Sequence, residues 1–279
     1  MAYPMVLDKP LGEYKSMYLA RARDESIWRH RIGSGGAVTA LLLYMLEEGI
    51  VDAVVTARKT RGVTGEIVVA RSREELLEAA GTRWSVLPFT MRLKEALSDE
   101  SIRRVAMVGL PCQAQFLWQM KLFPVLETDF SGKIHFIVSL FCIGTFATEA
   151  FLSSLQRLYG IEPSRVTGIN IVGDTLIIRY DGGEKRILLS EAIPYMQLGC
   201  LVCPDYTGVF SDLSAGISEQ YPGYTVLITR SDRAEEYLEE ARDKGYVELL
   251  KAPVHIVEEI EIKARAKMIR AQKYMSIVL

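Results

Sequence analysis

Four cysteines are the residues whose type and spacing can do chemistry in this chain. Two of them, Cys200 and Cys203, form a C-x-x-C step closed by Pro204. Two intervening residues let both sulfurs point into one small volume, which suits a metal or a cluster. A Cys-Pro step also closes the cysteine run of bacterial ferredoxins, whose thiolates hold iron–sulfur clusters. Thioredoxin-type redox pairs and half zinc sites share the same spacing. The pair lies in the stretch YMQLGCLVCPDYTGVFSDLSAG, residues 195–216, around which the chain is organised.

The other two cysteines share a local pattern. Cys112 ends RRVAMVGLPC, an apolar run broken at Leu110 and Pro111, and Cys142 ends KIHFIVSLFC, broken towards Gly144. Short β-branched runs bounded by breakers read as buried strands. Both cysteines are therefore expected at carboxyl ends of strands, where open α/β sheets place their ligands. Two such singles and one pair make a ligand set for a single [4Fe-4S] cluster. Two alternatives stay open: a pair of buried small hydrophobes beside an unrelated loop pair, and a zinc site with four cysteine ligands, although structural zinc more often uses two paired knuckles.

Two further segments have features that bind anions or rings. The run Ile32-Gly33-Ser34-Gly35-Gly36 opens an apolar helix, AVTALLLYMLEEG, with Ser34 as its expected cap and Gly49 as its stop. A glycine-rich turn at a helix N-terminus offers free N–H groups to a phosphate; the plainer reading is a tight turn with close packing. It is neither a dinucleotide fingerprint after a strand nor a P-loop. Gly81, Thr82, Arg83 and Trp84 then place a hydroxyl, a cation and a large aromatic in a row. That row suits an anion and a stacked ring, or else an ordinary packed tryptophan.

The elements that must position these residues alternate. Strands are expected at 51–57, 67–70, before Cys112 and before Cys142, with helices at 72–80, where Ser72 and Glu75 form a capping box, and at 91–97, 113–120 and 147–159. From 166 onward three short β segments, two of them joined by Asp181-Gly182-Gly183-Glu184, read as an antiparallel insertion. After the central loop come a strand at 224–230, a helix at 233–245, a strand at 246–250 and a charged closing helix. The basic residues of that last helix read as a solvated face, with partner docking as the sharper alternative. The fold class expected is α/β: a mixed sheet with flanking helices and a small antiparallel β insertion. Three units are expected: an N-terminal flavin-binding lobe (1–90), an iron–sulfur/flavin lobe (91–255) and a C-terminal helix (256–279).

Composition bounds the partners. At 279 residues the chain can bury a large core, and a formal charge of −2 gives no electrostatic reason to expect nucleic acid. Four cysteines in such a length suit a reducing cytoplasm rather than a disulfide scaffold. The start has no basic region leading into an apolar one, and the longest apolar helical stretch, 37–46, is far short of the roughly 20 residues a bilayer needs. A cytoplasmic protein without a membrane span is expected. Of the three histidines, His30, His135 and His255, none stands in a catalytic motif, and His135 reads as a strand residue.

In family order over about 33–231, the blocks GSGGAVTALLLYMLEEGIVDAVV, AAGTRWSVLP, GLPCQAQ, SLFC, LGCLVCPDYTGVFSDLSAGISE and YTVLITRS resemble the beta subunit of coenzyme F420-reducing hydrogenases and its formate dehydrogenase relatives. The resemblance implies FAD, one [4Fe-4S] cluster on Cys112, Cys142, Cys200 and Cys203, and coenzyme F420 as substrate. It implies hydride exchange between the 8-hydroxy-5-deazaflavin and FAD, then single electrons passed to or from a partner. That partner would be a hydrogenase, a formate dehydrogenase or a heterodisulfide-reductase-like subunit; a homo-oligomer is also compatible. The cofactor-binding residues expected are Ser34, Gly35, Gly36, Thr39, Gly81, Thr82, Arg83, Trp84, Pro111, Gln113, Asp212 and Ser214, and no side chain is expected to act as acid or base. Two departures stand out. Arg83-Trp84 replaces a frequent Lys-Tyr, and the additional ferredoxin-like motifs of longer members are missing, which leaves one cluster. Relatives in the superfamily reduce other substrates, so a stand-alone FAD/[4Fe-4S] reductase of another organic substrate is the alternative function.

Overall fold

The computed structural model describes residues 7–28, 34–60, 64–80, 87–123 and 128–278. In chain order it runs β1 (Ser16–Ala22), α1 (Ala37–Glu47), β2 (Ala53–Lys59), β3 (Gly65–Ala70), α2 (Arg73–Glu78), α3 (Phe89–Ser98), β4 (Val105–Gly109), α4 (Pro111–Leu122), α5 (Thr128–Lys133), β5 (Ile134–Leu140) and α6 (Thr148–Tyr159). Then come β6 (Val166–Val172), β7 (Thr175–Tyr180), β8 (Gly183–Leu188), α7 (Leu189–Ala192), α8 (Leu198–Leu201), β9 (Leu213–Ile217), β10 (Thr225–Thr229), α9 (Asp232–Asp243), β11 (Val247–Lys251) and α10 (Val254–Val278).

Eight strands form one mixed sheet in the order β11-β1-β10-β9-β5-β4-β2-β3, and β6-β7-β8 form a separate antiparallel sheet. The expected fold class is what the chain adopts. β2, β4, β5 and β9 run parallel, while β3 on one side and β10, β1 and β11 on the other are antiparallel to their neighbours. It follows that β1 ends on the same edge of the sheet as β4 and β5. The glycine turn before α1 and the residues after β4 and β5 thus share one edge.

Strand side chains alternate between the two faces. On one face Tyr18, Ala20, Ala106, Val138, Leu213, Ala215 and Leu227 pack against α1 and α9. On the other, Val105, Met107 and Ile137 meet α3 and α4, and Met17, Leu19, Val226 and Ile228 meet Ile256, Ile260 and Ala264 of α10. A third core joins the small sheet to α6 and to Phe146, Met196 and Leu201.

Two strands were not expected. The lead-in, read as irregular, holds β1, which pairs with β10 and β11 near the middle of one half of the sheet. The central loop, read as one piece to Gly216, turns into β9 at Leu213. β1 also ties residues before 90 into the same sheet as β10 and β11.

Candidate functional site

Helix α1 is capped differently from expectation. Its N-cap is Gly36, left-handed at φ 69°, and no side chain among the described residues caps it. Ser34, expected as the cap, lies two residues earlier, and its Oγ accepts from Gly36 N–H at 3.4 Å. Gly49 does stop the helix, with φ 63° just beyond the C-cap Glu48. Gly35 is held close to the chain itself: a Cβ there would lie 2.8 Å from the Ala20 carbonyl oxygen and 2.9 Å from that of Gly223. The turn's glycine is required by packing. Thr39 lies in the first turn of this helix. Gly81, Thr82, Arg83 and Trp84 lie outside the described residues. In α2 the cap of Ser72 on Glu75 N–H is as expected, but the Glu75 carboxylate returns to Arg71 N–H rather than to that of Ser72.

Cys112 is the second residue of α4 rather than the end of a strand, because Pro111 opens the helix. Gln113 Oε1 accepts from Leu110 N–H at 2.8 Å, and Pro111 is buried. Cys142 follows β5 by two residues, and its N–H donates to the Tyr206 carbonyl. Cys200 sits in the short α8, its sulfur accepting from Thr145 N–H at 3.4 Å. Gly144, at φ 144°, admits the Cys200 side chain so closely that a Cβ there would be 3.3 Å from Cys200 Cβ.

The segment after Cys203 crosses the sheet between α4 and α10. Phe210 rests on Trp118 of α4 with ring centroids 4.9 Å apart, and Tyr206 rests on Phe141 at 5.3 Å. Asp205 is fully buried; its carboxylate accepts from Gly208 N–H (2.7 Å) and Val209 N–H (3.1 Å). Burial pushes that carboxyl up, opposed by these N–H groups, Lys267 and Arg230. Arg230 donates to Ser214 Oγ (2.9 Å), Thr207 Oγ1 (3.0 Å) and the carbonyls of Leu11 and Glu13. Burial pushes its guanidinium down to about 10. Asp212 accepts from Ile137 N–H at 2.9 Å, and Ser214 is wholly buried. Both side chains are thus engaged in holding this segment.

All four cysteines are free thiols. Cys142 keeps some exposed surface as a residue, yet burial of its thiol pushes the pKa up to about 11, opposed by Lys267 and reinforced by Cys200, Cys203 and Cys112. Cys112 is exposed, and its thiol is also raised, first by the protein around it and then by Cys203 and Cys200. The thiols therefore lie within electrostatic reach of one another, although among the described residues no three His, Cys, Asp or Glu stand close enough for one metal ion. Four cysteine thiols from three segments are by their chemistry a donor set that a [4Fe-4S] cluster takes. Arg270 Nε, buried beside the Cys200 loop, has no partner among the described residues. A separate surface cavity at Arg58, Glu66, Arg92 and Glu95 contains none of these residues.

What the sequence reading missed are two cations of α10. Its basic residues are not all on a solvated face: Lys267 is buried at 5% exposure, and with Arg270 it reaches the cysteine loops. A sequence signal was present. Ile256, Ile260, Ala264, Lys267 and Ala271 follow one another at spacings of three and four, so this lysine sits on the helix's buried stripe.

The family description coenzyme F420 hydrogenase/dehydrogenase, beta subunit, matches with its N-terminal part over residues 17–94 and its C-terminal part over 102–254. The chain belongs to this family. It is accordingly an oxidoreductase subunit. It is 31% identical over 250 residues to the coenzyme F420 hydrogenase subunit beta of Methanosarcina barkeri, covering 88% of this chain and 84% of that protein. To the same subunit of Methanococcus voltae it is 28% identical over 265 residues, covering 92% and 94%. A chain in the solved F420-reducing [NiFe] hydrogenase complex from Methanosarcina barkeri matches with a TM-score of 0.87 at 28% identity, over 96% of this chain and 94% of that one. Among the described residues no helix is long and apolar enough to cross a membrane.

Proposed function

We propose that the protein is an FAD- and [4Fe-4S]-bearing subunit that exchanges a hydride with coenzyme F420 and passes single electrons to or from a partner redox subunit. The partner would be a hydrogenase, a formate dehydrogenase or a heterodisulfide-reductase-like protein, and the setting the cytoplasm. The observations that carry this reading are the family match over residues 17–94 and 102–254 and the placing of four free cysteines on α4, after β5 and around α8. When bound, the flavin would convert between a two-electron hydride and the single electrons a cluster carries.

The chain's own part is to hold and orient. Cys112, Cys142, Cys200 and Cys203 would ligate the iron. Asp205 and Arg230 frame the segment that follows Cys203. The N-terminus of α1, on the same edge of the sheet, would take a flavin phosphate, with Ser34, Gly35, Gly36 and Thr39 around it. His135, bonded to Tyr237 at 2.8 Å, has no role in this reading.

The test is anaerobic purification and reconstitution, followed by an assay with reduced deazaflavin and a viologen acceptor. Flavin, iron and sulfide in the protein together with viologen reduction are expected. A colourless protein that takes up neither flavin nor iron would sink the reading. A loaded protein inert towards deazaflavin would make the stand-alone reductase the better one.

A further inference from the structure

Two cations one helical turn apart on α10 bind the backbone of the loops that carry the cysteines. Lys267 Nζ donates to the carbonyl oxygens of Cys142 and Asp205, each at 2.6 Å. Arg270 Nη2 donates to those of Ile143 (2.5 Å) and Cys200 (3.1 Å). Each side chain thus bridges the segment after β5 to the segment around α8, two stretches about sixty residues apart in the chain.

Neither cation forms an ion pair with a carboxylate among the described residues. Of the buried acids, Glu259 is occupied by Ser218, Glu219 N–H and Lys263, and the Asp205 carboxylate, within reach of the Lys267 and Arg230 charges, is bonded to Gly208 N–H and Val209 N–H. A buried, unpaired ammonium is costly unless something anionic compensates it. Arg270 Nε–H is one of three buried side-chain polar atoms without a partner among the described residues, the others being Ser139 Oγ and Thr225 Oγ1. An iron–sulfur cluster with four thiolates is the anion that such an arrangement answers.

We propose that Lys267 and Arg270 form a cationic cap over the cluster, holding its ligand loops in register and making its reduction easier. Arg270 Nε–H is the cap's donor to a sulfur. This rests on the reading that the four cysteines hold one [4Fe-4S] cluster. A cluster gains one negative charge when it takes up one electron, here from reduced flavin, and nearby cations and N–H···S bonds favour that charge. No bond or proton at either side chain changes in the step.

The experiment compares the full-length protein with Arg270→Gln, Arg270→Lys and Lys267→Met after anaerobic reconstitution. Iron and sulfide content are measured, and the cluster midpoint potential is read by mediated titration with electron paramagnetic resonance. In Arg270→Gln the potential moves to more negative values with the cluster present, and Arg270→Lys recovers part of the shift because it restores the charge without Nε. In Lys267→Met two loop carbonyls lose their donor, and cluster affinity falls about tenfold or more. Should Lys267→Met fail to fold, the two Arg270 variants decide. Unchanged iron and unchanged potential in Arg270→Gln overturn the cap, as does an equal change in Gln and Lys. Wild-type protein that takes up no iron overturns the cluster reading itself, a result seen before any variant is compared.

Discussion

Gly208 lies directly against Ser139: a Cβ on the glycine would stand 1.9 Å from Ser139 Oγ and 2.2 Å from Ser139 Cβ. Ser139 is wholly buried in β5, and Gly208, at φ 84°, belongs to the segment that follows Cys203. The contact sets how closely that segment crosses the sheet between α4 and α10. Gly208→Ala is expected to cost about 2–4 kcal/mol, from the left-handed backbone and the overlap together. Denaturant unfolding measures it. Ser139→Gly in the same chain should restore part of the loss, since it removes both atoms in the way. A neutral Gly208→Ala would show that the segment can lift off β5 without penalty.

At the glycine turn, Gly35→Ala should lower the melting temperature whether or not flavin is present. Its Cβ would meet two backbone carbonyl oxygens that cannot swing aside. Loss of flavin in that variant would therefore report the fold rather than the phosphate. Ser34→Asp is the cleaner probe of anion binding at α1. Its carboxylate can keep the bond to Gly36 N–H while repelling a phosphate. FAD affinity is expected to fall about tenfold, a free-energy change of about 1.4 kcal/mol, with little change in melting temperature. Undiminished affinity would move the phosphate away from this helix.

Replacing Cys112 or Cys142 by alanine should sharply lower the iron bound after reconstitution. The two differ in setting, Cys112 exposed on the first turn of α4 and Cys142 beyond β5. Full iron in both variants would end the four-ligand assignment, whereas loss in one alone would identify a three-cysteine site.

Cys203→Ser separates the two halves of the proposed electron path. The flavin should still be bleached by reduced deazaflavin in stopped-flow mixing, while transfer to a viologen or partner fails. A flavin that is bound but not bleached would make hydride transfer dependent on the cluster.

Acid should weaken the fold through His135. Burial, reinforced by Arg233 and Arg104, lowers its pKa below the ordinary 6.5. Between the lowered folded value and about 6.5 the unfolded chain binds a proton that the folded chain does not, so stability rises with pH through that window and is lost as pH falls through it. The urea midpoint of the wild type should drop more from pH 7.5 to about 5.5 than that of His135→Gln. Equal drops would assign the acid sensitivity elsewhere.

The sequence by itself carried whatever local physics encodes. β-Branched runs marked β2, β4, β5 and β10, Gly49 and Gly160 ended their helices, and the Asp181-Gly182 turn joined β7 to β8. The cysteine spacing pointed to iron–sulfur chemistry for the same reason, since ligand type and short-range spacing are local properties. Tertiary structure decided the rest, because the deciding partners lie far off in the chain. β1, SMYLARA, holds no β-branched residue, and pairing with β10 and β11, more than two hundred residues later, makes it a strand. β9, LSAGI, has small residues at its centre, with Gly216 required by Phe141, where a Cβ would be 1.9 Å from the ring, and a single β-branched residue, Ile217, gives little strand signal. The charges of α10 look alike in sequence. Which of them face inward depends on carbonyl groups of loops 60 to 130 residues earlier, and only the fold brings Lys267 and Arg270 to those oxygens.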